Sequence, residues 1–152
     1  CMLLYHMNLG YPLLSETAEL HINSSEVIPR DDRAAEDLDT WNKMLAPVPN
    51  FVEQCYYHRF QGETAKLSLF NDSIKKGLQI SFPTKDFPLI TQWKMMGERD
   101  YVLGLEPCTN TLEGRGTIRQ KGELKFLAPG ESQTFTVKVS LFNEKQDWEN
   151  QL

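Results

Sequence analysis

The strongest constraint on this chain is a period of two. Ala65, Leu67 and Leu69 alternate with Lys66 and Ser68, and Leu78, Ile80 and Phe82 repeat the pattern. Phe135, Val137, Val139 and Leu141 do the same against Thr134, Thr136, Lys138 and Ser140. Alternation of this kind lines one face of a β-strand with apolar side chains and leaves the other face polar. Turn-forming clusters separate the runs: Asn71-Asp72-Ser73, Lys76-Gly77, Pro83-Thr84-Lys85-Asp86 and Pro129-Gly130-Glu131-Ser132. Many short strands divided by turns predict an all-β sandwich rather than an α/β layer.

Other segments fit the same scheme. Residues 2–9 form a strand that ends at the Gly10-Tyr11-Pro12 turn, Ala18 to Asn23 make a weaker strand, and Phe51 to Phe60 is rich in aromatic residues. Between them, Pro29-Arg30-Asp31-Asp32-Arg33 opens a charged excursion. Asp32 is expected to cap one short helix from Arg33 to about Trp41, with Pro47-Val48-Pro49-Asn50 closing it. Long excursions of this type often line sites. Asn143 to Leu152 is polar and is expected to fray. No internal repeat or low-complexity segment is visible.

Size and charge narrow the function. With 152 residues the chain is about one domain, and its net charge of −5 comes without a basic stripe, which argues against a nucleic-acid partner. No apolar run approaches the roughly 20 residues that span a bilayer, so no membrane partner is expected. Cys1, Cys55 and Cys108 have no metal-ligand spacing and point to reduced thiols in a cytoplasmic setting. No metal or other cofactor is expected. The chain opens at Cys1 directly in a strand-like run, so we expect a piece of a longer protein whose first strands lack partners unless a missing amino-terminal half or another chain supplies them.

Two polar residues stand out in apolar, strand-like surroundings. They are His6, in Leu3-Leu4-Tyr5-His6-Met7-Asn8-Leu9-Gly10, and Glu106, in Tyr101-Val102-Leu103-Gly104-Leu105-Glu106-Pro107. An imidazole and a carboxylate can divide proton transfer between them. Each also has a plainer role, His6 as a core residue bonded to backbone and Glu106 as half of a salt bridge.

These runs carry a resemblance. Tyr5-His6-Met7-Asn8-Leu9-Gly10 resembles the histidine strand of aldose 1-epimerases (galactose mutarotases). Pro88-Leu89-Ile90-Thr91-Gln92-Trp93 followed by Leu103-Gly104-Leu105-Glu106-Pro107 is similar to the strands leading to that family's glutamate. With Pro29-Arg30-Asp31 and Glu106-Pro107-Cys108-Thr109-Asn110, the pattern looks closer still to an uncharacterised branch of the superfamily. The resemblance implies a galactose mutarotase-like β-sandwich (supersandwich) of which residues 1–152 are the C-terminal portion, with a sugar or sugar derivative bound on a sheet. It implies His6 as general acid and Glu106 as general base, one at each side of the anomeric centre. Glu53, Trp93, Gln92, Arg30 and Asn110 are the implied substrate-binding residues. Trp93 could equally pack in the core, and Arg30 could pair with Asp31 or Asp32. The Pro-Cys after Glu106 departs from the family's Thr-Gln and bears on the substrate. Alternation sets Glu53, Cys55, Tyr57 and Arg59 opposite Gln54, Tyr56 and His58, making His58 an ordinary strand residue. Cys108 shows no activating neighbour. The expected function is aldose epimerisation, and the alternative is a noncatalytic carbohydrate-binding module.

Overall fold

A computed structural model describes residues 1–152 as two antiparallel sheets. The five-stranded sheet runs in the order β1 (Asn8–Leu9), β8 (Tyr101–Cys108), β7 (Leu89–Met96), β4 (Gln54–Arg59), β3 (Glu26–Pro29). The four-stranded sheet runs β2 (Ala18–Ile22), β5 (Thr64–Asn71), β6 (Lys76–Pro83), β9 (Lys138–Phe142). The all-β sandwich is therefore the fold of this chain.

Its core follows from the alternation. Ala65, Leu67 and Leu69 of β5 and Ile80 and Phe82 of β6 meet Ile90 and Met96 of β7 and Leu103 and Leu105 of β8, all buried between the sheets. Phe87 joins them and stacks edge-on with Phe82 at 5.5 Å. Because β7 and β8 give one set of alternate residues to this core, Thr91, Trp93, Gly104 and Glu106 lie on the other face of the five-stranded sheet.

Helical segments differ from expectation in number and place. The N-cap of α1 (Asp32–Glu36) is Asp31, one residue before the expected Asp32; its carboxylate accepts from Ala34 N at 3.0 Å, and a 3₁₀ turn at Leu38–Thr40 replaces the rest of the helix. Arg33 bonds Glu36 at 2.7 Å and Asp37 at 3.1 Å along this segment. Two further helices, α2 (Arg115–Gln120) and α3 (Lys145–Glu149), lie outside the single helical excursion that was expected. The tail does not fray as a polar end should. Trp148 is 2 % exposed and lies 5.5 Å from Phe70, while Gln79 Nε2 donates to Gln151 O at 3.0 Å. The buried indole, with Gln79 and Lys66 Nζ donating to the last carbonyls, docks five residues that are too few to form a stable helix on their own.

The first strands do have partners in the chain, against expectation. β1 pairs with β8 and β2 with β5, although β1, β2, β3 and β9 all stand at sheet edges. No helix is long and apolar enough to cross a membrane.

Candidate active site

Residues 3–9 run beside β8 beyond the regular ladder of Asn8–Leu9. Tyr5 N donates to Pro107 O and Leu105 N to Met7 O, both at 2.9 Å. Pro107 lacks an N–H, but its carbonyl still ties the first segment in place. This pairing brings His6 Nε2 to 3.2 Å from Glu106 Oε1. The two groups differ in exposure: the His6 side chain is 52 % exposed and that of Glu106 only 4 %. Oε1 receives no aligned hydrogen bond, so its contact with the His6 imidazole is one of proximity. Burial pushes the Glu106 carboxyl above the usual carboxylate range, and the neighbouring imidazole opposes that rise.

Gly104 makes room for this carboxylate. It precedes Glu106 by two residues on the same face, and a Cβ there would lie 2.6 Å from Glu106 Oε1 and 3.1 Å from Trp93 Cβ. A side chain at 104 and the observed carboxylate cannot coexist unchanged.

Trp93, on the neighbouring strand, stands edge-on to the His6 ring with centroids 5.7 Å apart. Its indole Nε1 donates to Glu53 Oε2 at 2.7 Å, and Glu53 Oε1 accepts from Arg30 Nη1 at 3.1 Å. Arg30 also donates from Nε to Asp31 Oδ2 at 2.8 Å and from Nη1 to Cys55 Sγ at 3.0 Å. These side chains bound a hollow of about 340 Å³, walled on its apolar side by Leu4 and Leu112. It is about the size that encloses a small organic ligand. It offers carboxylate acceptors, an imidazole, a guanidinium and an indole face, which suits a compact polyol. Burial pushes the Cys55 thiol up to about 12 and that of Cys108 up to about 11, so both are poor nucleophiles.

His6, Glu106, Glu53, Trp93 and Arg30 thus share one hollow. Gln92 and Asn110 do not. Gln92 precedes Trp93 on β7 and points to the opposite face, where it is fully buried, its Oε1 accepting from His58 Nε2 at 2.9 Å and its Nε2 donating to Trp41 O at 3.0 Å. Asn110 lies past the end of β8, bonding Thr109 Oγ1 at 3.0 Å and Glu123 O at 3.3 Å. The expected gap between His6 and Glu106 is also corrected: they touch, so a ligand must lie against the pair rather than between its members. Sequence reasoning overlooked Gly104, although its spacing of two from Glu106 signalled a shared face. Nothing local marked Leu112.

The fold has a known counterpart. Over 98 % of its length the chain superposes, with a TM-score of 0.90 and 27 % identity, on the crystal structure of a "putative aldose 1-epimerase" from Klebsiella pneumoniae subsp. pneumoniae MGH 78578. It spans 40 % of that protein's chain. No functionally curated protein matches the sequence. Residues 1–141 match the family described as Domain of unknown function (DUF4432). A mutarotase-like sandwich with that match along nearly all its length belongs to the DUF4432 family.

Proposed function

We propose that this chain contributes the acid/base pair of an aldose 1-epimerase acting on a sugar or sugar derivative. The observation that carries the proposal is the 3.2 Å approach of His6 Nε2 to Glu106 Oε1 on the wall of a hollow that also holds Trp93, Glu53 and Arg30. Glu106 removes the proton from the anomeric hydroxyl while His6 donates one to the ring oxygen. The C–O bond of the ring breaks, the free carbonyl rotates, and reversal of both transfers recloses the ring on either face. The hydroxyl and ring oxygens share one carbon, so adjacent catalytic groups suit this chemistry better than distant ones. A carboxyl raised by burial is a stronger base once ionised, and the half-exposed imidazole can exchange its proton with solvent. In this reading Trp93 packs on the sugar ring, and Glu53 and Arg30 meet its hydroxyls. We further propose that residues 1–152 are the C-terminal portion of a mutarotase-like domain, consistent with the 40 % share of the Klebsiella chain.

The test uses the full-length protein and anomer exchange measured by NMR or polarimetry over a panel of aldoses. Wild type accelerates exchange of at least one sugar. Glu106→Gln lowers the rate about 10²- to 10⁴-fold with a much smaller change in binding, and His6→Asn acts in the same direction. A wild-type protein that binds sugars yet leaves the spontaneous rate unchanged is a carbohydrate-binding module instead.

A further inference from the structure

Beside the hollow that holds His6 and Glu106 lies a second one of about 430 Å³, and the two share Arg30 and Leu112 in their walls. It opens on the same face of the five-stranded sheet, over Tyr57 and Leu89, and the segment carrying Thr111, Glu113 and Lys121 rises along its side. Tyr57 fixes that segment, its hydroxyl accepting from Leu112 N at 3.1 Å. Leu112 is therefore a held partition between two connected spaces, each large enough for a compact ligand.

The charges around this second space decide what it takes. Lys121 Nζ is held by both Glu113 oxygens at 2.7 and 2.8 Å, Arg30 by Asp31 and Glu53, and Arg59 faces Glu26 at 3.7 Å. Glu123 lines the space without an ion-pair partner. A phosphate or carboxylate would find every cation already matched and one carboxylate unmatched. A neutral, hydroxyl-rich group would find donors and acceptors beside the apolar surfaces of Ile28, Pro29 and Tyr57, the mixed lining that a sugar ring requires.

We propose that the second hollow binds the next neutral sugar unit of a substrate whose reducing end lies at His6 and Glu106, making the preferred substrate a reducing oligosaccharide rather than a single aldose. The proposal rests on the epimerase reading for the placement of the reducing end. The second unit joins through a ring hydroxyl away from the anomeric carbon, which must stay free. The chain's own polar groups hold it, and no bond to it changes during the reaction.

The full-length protein is tested with paired sugars, an aldose and reducing disaccharides that carry it at the reducing end, following both anomer exchange and binding by calorimetry. One or two net hydrogen bonds in the second hollow give at least one disaccharide about a tenfold advantage in kcat/KM and in Kd. Lys121→Ala removes a polar contact and Thr111→Trp fills the space. Neither residue lines the first hollow, so both variants keep wild-type kinetics on the single aldose while losing the disaccharide advantage. If aldoses turn over but no disaccharide binds or reacts better, the second subsite is refuted and the epimerase reading stands. If nothing turns over, the epimerase reading fails. The calorimetric comparison then still judges the subsite, and equal affinities, or an advantage that survives both variants, overturn it.

Discussion

Replacing Gly104 by alanine asks whether catalysis depends on where the Glu106 carboxylate sits. The added Cβ would lie 2.6 Å from Glu106 Oε1, whereas carbon contacts relax near about 3.5 Å, so the carboxylate must retreat by about 0.9 Å. Trp93 Cβ, 3.1 Å away and fixed to its strand, cannot yield in its place. A misplacement near 1 Å costs about 10²-fold in rate. Stability changes less, because overpacking of about 1–3 kcal/mol is partly offset by the about 0.4–1 kcal/mol gained when glycine leaves the unfolded chain. If the proposed epimerase activity holds, anomer exchange in the full-length protein should show kcat down about 10²-fold, KM little changed and melting only slightly lower. Gly62→Ala, which meets nothing within 4 Å, is the matched control. Glu106→Asp withdraws the carboxylate by about 1.5 Å, so combined with Gly104→Ala it should lose less activity than the two separate losses imply. Wild-type kcat and pH profile in Gly104→Ala, or simple additivity in the double variant, would refute the argument.

Other outcomes follow from buried groups. Glu106 is raised by burial, so the folded protein holds its proton to higher pH than the unfolded chain does, and ionising it lowers stability as pH rises through that window. Glu106→Gln should therefore raise the melting temperature at neutral pH, by about 2–4 °C for each kcal/mol relieved, and calorimetry across pH should show the gain disappear in acid. His58 is buried with its pKa pushed down to about 4, so stability is full above about pH 6.5 and falls as pH drops towards 4, by about 3 kcal/mol in all. Denaturant titrations of His58→Gln should flatten that limb. Trp148→Ala should cost about 3–5 kcal/mol and release the tail to proteolysis. Trp148→Phe should cost far less, since the indole N–H has no partner to lose.

The sandwich was legible because β5 and β6 place core residues at every second position with a turn between them; in the third alternating run Phe135 and Val137 reach the core, whereas Val139 and Leu141 of edge strand β9 stay exposed. The short helices were not. α3 depends on one tryptophan meeting Phe70 from a different part of the chain, and adjacent Asp31 and Asp32 offer equally good caps until the backbone chooses one. In the site, face alternation sorted Glu53 and Cys55 correctly against His58. The same rule, applied to β7, separates Gln92 from Trp93, which the family resemblance had joined. The distance from His6 to Glu106 was illegible, because it depends on register between strands far apart in sequence.

That register also governs when the site exists. His6 and Glu106 are 100 residues apart, whereas β7 and β8 are joined by a short turn, so the hairpin can form early and the His6 segment closes the longest loop of the pair. The segment is an edge held by a two-residue ladder and a few flanking backbone bonds. Peeling that edge would part acid from base and draw Leu3, Met7 and Leu9 off the margin of the core, while the residues buried between the two sheets keep one another as partners. The fraction of molecules competent for proton transfer is then set by a local docking equilibrium with its own free energy, smaller than that of global unfolding and separately open to adjustment by anything that binds the edge.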